Sequence, residues 1–248
     1  MTKYPQVAWA SMITPSDEEH YQKLLNSGVK DLIVCLHISG FGKYIAGEYH
    51  TLLGQRAGLH THPCLATDLS SPALDIKYFF AAFAKLGYTR NSKVTIRLLS
   101  NPKVKDKKRQ LQLLINYMSC IVPEDNIGIA VDKKNLDEGE FKLEEIPTSM
   151  NFTSFNEGKV NSGVDRAATW VYTGEFAGQV QPVGYDFYGF YTGENKYQLT
   201  LEDTYRARPG DTWVTVATRH GIWLPKLLEL NGAKYEDLVV PGQEIKLA

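Results

Sequence analysis

Asp31-Leu32-Ile33-Val34-Cys35-Leu36-His37-Ile38 is an almost unbroken apolar run. A strand with one wet face alternates polar and apolar residues; a strand covered on both faces does not. The run therefore predicts a strand of a parallel sheet with helices packed outside it. Upstream, Gln6-Val7-Ala8-Trp9-Ala10-Ser11 reads as a shorter strand, and Thr14-Pro15 offers an N-cap and a first-turn proline for a helix through Leu24 and Leu25. Downstream the alternation continues. A helix through Tyr49, Leu52 and Leu53 precedes a strand over residues 59–65, and Ser71-Pro72 opens a helix with Ile76, Phe79, Phe80 and Phe83 at helical spacing and a stop at Gly87. Val94-Thr95-Ile96-Arg97-Leu98 is the fourth strand, and Leu111, Leu114, Ile115, Met118 and Val122 form the apolar stripe of the helix behind it. Residues 127–131 give a fifth strand, with a weaker, short helix over residues 135–145. Helical periodicity then fades, and strands follow at residues 150–155, 169–173 and 183–188. Five strand-helix units and three closing strands predict an α/β fold, an irregular TIM-like barrel of eight strands.

Composition narrows the partners. The 248 residues carry 27 basic and 28 acidic side chains, a formal charge of −1, which gives a polyanion no electrostatic hold and excludes nucleic acid as the expected partner. The basic cluster Lys105, Lys107, Lys108 and Arg109 includes Asp106 and opens a helical pattern, so it reads as a solvated helix start. No apolar stretch reaches the ~18–20 residues of a bilayer span, and Met1-Thr2-Lys3-Tyr4-Pro5 leads into a strand-like run rather than a signal peptide, so no membrane partner is expected. Cys35, Cys64 and Cys120 are odd in number, far apart and set in apolar runs, which predicts buried free thiols. His60 and His62 share a strand face with Cys64, but ligands spaced along a strand do not surround a point. Packing is the expectation, with no metal and no cofactor.

The carboxy-terminal segment differs in pattern. Tyr205-Arg206-Ala207-Arg208-Pro209-Gly210-Asp211-Thr212-Trp213 reads as strand, turn and helix opening, with Asp211 or Thr212 as cap and Val216-Ala217 starting the buried face. Leu224, Leu227, Leu228 and Asn231 mark a second short helix ended at Gly232, and Leu238-Val239-Val240-Pro241-Gly242-Gln243-Glu244-Ile245-Lys246-Leu247 is a turn and closing strand. This βααβ unit resembles the LysM family along its length, through Tyr205, Pro209-Gly210-Asp211-Thr212, Val216-Ala217, Gly221, Leu227, Leu230-Asn231, Leu238, Pro241-Gly242-Gln243 and Ile245. Trp213 departs from the smaller aliphatic residue usual there. The resemblance implies binding of peptidoglycan or a chitin-like N-acetylglucosamine polymer in a groove between Gly210, Asp211, Thr212 and Trp213 on one side and Leu238, Val239, Val240 and Pro241 on the other. A polar stretch separates this unit from the rest, giving expected domains of 1–192 and 205–248 joined by a linker at 193–204.

The end of the larger region carries a second resemblance. Trp170-Val171-Tyr172-Thr173, Gly178, Val180 and Val183-Gly184-Tyr185-Asp186-Phe187-Tyr188-Gly189-Phe190 are similar to the ending of the family-25 glycoside hydrolases, the lysozyme-like muramidases. Gly28-Val29 and Ala57-Gly58-Leu59-His60 agree with it. Glycoside cleavage needs one carboxyl group to protonate the leaving oxygen and a second to attack or stabilise the anomeric centre. The family places an aspartate two residues before a serine on its first strand, where this chain has Trp9 before Ser11. It ends its fourth strand in Asp-x-Glu, where this chain runs Val94 through Leu98, Leu99 and Ser100 without an acid. Asp186 alone matches the family's functional residues. Asp68 and Asp132, each following a strand, are the candidate substitutes, with helix capping and loop solvation as their other reading. Tyr185, Phe187, Tyr188, Phe190 and Tyr191 are expected in the core and on the barrel rim.

These features together predict a cell-wall glycan-binding protein of phage or Gram-positive origin with a degenerate, non-catalytic muramidase-like barrel. It would meet the wall after lysis, by holin-type release, or in a virion. The alternatives are an active muramidase using carboxylates outside the family's positions, and a virion or tail component whose domains contact phage structural proteins.

Overall fold

A computed structural model of the chain describes residues 4–193, 204–207, 210–220 and 222–247. Of the expected features, residues 1–3, most of the linker, Pro209 and Gly221 lie outside the described residues. The chain divides into two compact units, Met1–Asn195 and Lys196–Ala248.

The first unit is a closed barrel of β1 (Gln6–Ala10), β2 (Asp31–Ile38), β3 (His60–Thr67), β4 (Val94–Leu98), β5 (Ile127–Asp132), β6 (Asn151–Phe155), β7 (Thr169–Phe176) and β8 (Gln179–Asp186), joined in chain order. Strands β1 to β7 run parallel, and β8 closes the barrel antiparallel to both β7 and β1. Helices α1 (Glu18–Asn26), α2 (Ala46–Ala57), α3 (Pro72–Lys85), α4 (Lys107–Ser119) and the one-turn α5 (Lys133–Asp137) follow the first five strands. The period of two in each strand sorts its side chains into two cores. Leu32, Val34, Leu65, Ile96 and Ile129 face outward against Tyr21, Phe79, Phe83 and Leu114, all buried. Val7, Trp9, Ile33, Cys64, Ala130, Phe155, Val171 and Tyr191 fill the barrel itself. Both faces of β2 are covered, which is why its sequence does not alternate. The β2–β3 register shifts between Cys35 and His37, so Leu36 and His37 both belong to the outer layer.

Three expectations change. Helix α1 begins after Asp17, whose carboxylate accepts from the His20 amide at 2.8 Å. Thr14 instead closes a turn, with its Oγ1 accepting from the Ser11 amide at 3.1 Å. Asp17 prevails because Glu18 and Glu19 follow it, placing negative charge at the positive end of the helix. The helical pattern over 135–145 shrinks to α5 and a single 3-10 turn at Leu143–Glu145, interrupted by Gly139 at φ 71°. Cys35 and Cys64 are buried, but Cys120 is exposed, because it caps the end of α4 rather than lying on its apolar stripe.

The second unit holds β9 (Thr204–Arg206), α6 (Trp213–His220), α7 (Leu224–Asn231) and β10 (Glu244–Lys246), with β9 and β10 antiparallel. Its core is Ala207, Trp213, Val216, Ala217, Leu227, Ile245 and Leu247. Asn231 ties α7 to β10, its side chain accepting from the Lys246 amide at 2.7 Å and donating to the Lys246 carbonyl at 2.8 Å.

Helix α2 approaches β2 more closely than a side chain allows. A Cβ on Gly47 would stand 2.3 Å from the Cys35 carbonyl oxygen and 2.9 Å from the Leu36 Cα. Because the obstacle is backbone, Gly47→Ala must shift the helix. It is expected to lower barrel stability by about 1–3 kcal/mol, as overpacked cores do, measured as the urea midpoint of near-ultraviolet circular dichroism.

Candidate functional site

Seven parallel strands bring their carboxy-terminal ends to one face, where barrel enzymes assemble their sites. A cavity of about 380 Å3 opens there, lined by Trp9, Cys35, Cys64, Arg97, Phe155 and Glu157, among others. Its walls are aromatic and its charge is sparse. The Trp9 and Phe155 rings meet edge to face, centroids 4.8 Å apart at 73°. The Arg97 guanidinium lies 3.5 Å from the centroid of the Phe155 ring. Arg97 also donates to both carboxylate oxygens of Asp132, at 3.1 and 3.3 Å. The Trp9 indole Nε1 is buried with no hydrogen-bond partner among the described residues. Ser11, two residues beyond Trp9, and Leu99, two beyond Arg97, line the same cavity.

Of the three carboxylates singled out from the sequence, none lines this cavity. Asp132 is engaged by Arg97. Asp68 accepts from the Ser70 amide and hydroxyl at 2.8 and 2.5 Å and from the Asn101 side chain at 2.8 Å. Burial pushes its carboxyl up, but these bonds outweigh it and hold the group below its usual range, the wrong direction for a proton donor.

Asp186 lies at the opposite end of the barrel. It is the last residue of the antiparallel strand, paired with Thr169 at the start of β7, and its amide donates to the Pro5 carbonyl. Its fully buried carboxylate accepts from the amides of Phe190, Tyr191 and Thr192 and from the Thr192 hydroxyl, at 2.9–3.1 Å. Burial raises its pKa, and those bonds pull it partly back. This pinned turn sends Tyr191 into the barrel, where its hydroxyl shares a hydrogen bond with Thr95 at 2.7 Å and its ring packs against Trp9 and His62.

The histidines of β3 also separate. His62 pairs with buried Asp31 at 3.0 Å, His60 reaches the same carboxylate at 3.5 Å from an exposed position, and Cys64 points at the mouth. Among the described residues no group of three or more His, Cys, Asp or Glu side chains is arranged to hold a metal.

One acid at the mouth was missed. Glu157, two residues past β6, is the carboxylate among the described residues lining the cavity, and it lies over Gly174, where a Cβ would meet its Oε2 at 2.6 Å. Its position after a strand was a usable signal, obscured by the polar loop that follows. The arrangement as a whole offers stacking surfaces, one cation bound to its counter-ion, and a single lining carboxylate.

In the second unit the expected groove residues divide. Thr212 is exposed and caps α6, its Oγ1 accepting from the Thr215 amide at 3.2 Å; Asp211 is buried, and its carboxylate accepts from the Tyr205 hydroxyl at 2.6 Å. Trp213 is 3% exposed and belongs to the core, so its side chain does not face a sugar. A helix opening over a small core draws its largest apolar residue inward. Gly210 and Pro241 are exposed, as are Leu238 at 87% and Val240 at 60%, while Val239 packs on the core. The Val240 amide donates to the Gln243 side chain at 3.0 Å and the Gln243 amide to the Val240 carbonyl at 2.9 Å, fixing the turn. Trp223 and Tyr235, not singled out from the sequence, are the exposed aromatics of this unit among the described residues.

Residues 205–248 match the LysM domain family model. The barrel has the fold of solved muramidases at very low sequence identity. A muramidase from Trichobolus zukalii matches with a TM-score of 0.57 and 12% identity, covering 77% of this chain and 100% of that one. A lysozyme from Streptomyces coelicolor matches with a TM-score of 0.55 and 14% identity over 75% and 94% of the two chains. A family 25 glycosyl hydrolase from Bacillus anthracis matches with a TM-score of 0.58 and 10% identity over 80% and 94%. No curated protein sequence matches the chain.

The geometry of Asp186 makes its substitution a structural test. Asn has one acceptor oxygen where four donors converge on two, so Asp186→Asn is expected to lose about 1–3 kcal/mol through an unmatched buried donor. The check is urea unfolding together with Tyr191 mobility by nuclear magnetic resonance.

Proposed function

We propose that this chain is a cell-wall glycan-binding protein in which the LysM domain docks on peptidoglycan and the barrel does not cleave it. The observation that carries docking is the family match over 205–248, with Leu238 and Val240 presenting apolar surface beside a hydrogen-bonded turn. The Gly210 to Thr212 segment and the Leu238 to Pro241 segment form the proposed groove, read by backbone amides and carbonyls rather than by the Trp213 ring.

The non-catalytic reading of the barrel rests on its mouth. An inverting or retaining hydrolase needs two carboxyl groups across the scissile bond. Here Trp9, Arg97 and Leu99 line the cavity from the ends of the first and fourth strands, and Asp132 is bound to Arg97. Glu157 is left without a lining carboxylate partner among the described residues. Losing the acid/base partner of a glycosidase forfeits about 4 kcal/mol of transition-state stabilisation, roughly three orders of magnitude in rate. No helix among the described residues is long and apolar enough to cross a membrane, and the protein is proposed to act at the wall after release from the cell.

Full-length protein mixed with purified peptidoglycan tests both halves. It is expected to co-sediment with the wall, while the suspension keeps its turbidity and releases no reducing sugar. Truncation after Thr192 is expected to return the protein to the supernatant. Full-length protein that stays soluble beside the wall would refute docking. Lysis that vanishes in Glu157→Gln or Asp132→Asn would refute the non-catalytic barrel and identify its acid.

A further inference from the structure

The barrel mouth holds two thiols that the glycan-binding reading does not use. Cys35 and Cys64 are direct partners in the β2–β3 register, and both line the mouth cavity. Adjacent strands lie ~4.8 Å apart, and a disulfide needs Cα atoms about 4.4–6.8 Å apart, so the backbone already meets the requirement. Both side chains line the one cavity, where the Cys35 thiol donates to the His37 carbonyl at 3.2 Å. Both project to the barrel interior, and Cys35 stands next to the one register shift of the β2–β3 pair. Neither is in a disulfide.

We propose that Cys35 and Cys64 form an oxidative modification site that closes to an intramolecular disulfide by exchange with small neutral disulfides admitted to the mouth. Cys35 is the attacking thiol. It is 6% exposed against 2% for Cys64, and the cavity is rimmed by the exposed side chains of Met12 and Ile13. The neighbouring Cys35 thiol and burial hold the Cys64 thiol well above its usual pKa, with Arg97 pulling the other way, which suits the slower, resolving role. In the first step Cys35 loses its proton to solvent and its sulfur attacks one sulfur of the small disulfide. That S–S bond breaks, and one half leaves as a thiolate that takes up a proton. In the second step Cys64, deprotonated, attacks the Cys35 sulfur of the mixed disulfide and expels the other half as a thiol. Two protein thiols lose two electrons and two protons, and the small disulfide gains them.

The test uses full-length Cys120→Ser, which removes the exposed third thiol, with 2-hydroxyethyl disulfide as oxidant at mildly alkaline pH. After an acid quench and unfolding, free thiols are alkylated and counted by mass. The expected result is a fall from two free thiols to none, a linked Cys35–Cys64 peptide, and full reversal by dithiothreitol. In Cys64→Ser,Cys120→Ser the expected product is a stable mercaptoethanol adduct on Cys35, with folding checked by circular dichroism. Two thiols still free after a time that fully converts the unfolded chain would overturn the proposal. So would separate adducts on both cysteines, or cross-links between chains alone.

Discussion

The edge-to-face contact of Trp9 with Phe155, with Arg97 stacked on the far partner, decides what the barrel mouth can be. A closed eight-stranded barrel has an interior just wide enough to be filled by its own side chains, and here the upper layer is filled by large apolar ones. Such aromatic pairs contribute about 0.5–1.5 kcal/mol beyond the area they bury. The same layer fixes the electrostatics. Asp132 has Arg97 beside it, and a further acid among Trp9, Phe155 and Cys64 would have to be stripped of water without a waiting cation. An acid in place of Trp9 would therefore set a charge in an apolar layer.

The opposite end shows how one residue can match a pattern and serve structure. Because β8 runs against the other seven strands, its carboxy-terminal residue lies at the end of the barrel away from the mouth. Asp186 there gathers amides from the turn that follows and holds Tyr191 inside the barrel beneath Trp9. The two ends are thus packed through one another, since Tyr191 touches Trp9 from below while Phe155 touches it from the side.

Much of this architecture was legible from patterning. β2 and β4 fall where their apolar runs place them, because a strand covered on both faces has no other way to satisfy its side chains. The start of α1 was not, since Thr14-Pro15 and Asp17 are competing caps and the acidic first turn after Asp17 decides between them. Trp213 reads as a surface aromatic only if the helix phase is unknown; it lies inward with Val216 and Ala217. Glu157 and the Cys35–Cys64 pair depend on strand register, a relation between distant segments that local periodicity does not carry. The cysteines sit 29 positions apart in sequence and face each other because of where β2 and β3 align.

A weak electrostatic hold shapes how such a protein would engage a wall. The formal charge of −1 offers no long-range attraction to an anionic polymer, so association has to come from short-range contacts that salt does not screen. In the proposed reading those contacts come from the LysM turn, whose backbone is fixed by the Val240–Gln243 bonds and flanked by exposed Leu238 and Val240. A rigid turn loses little conformational entropy on binding, which compensates for the small area that one such unit can bury. In the proposed reading, wall affinity belongs to this turn, and the barrel is free to carry a mouth whose packing no longer answers to hydrolysis.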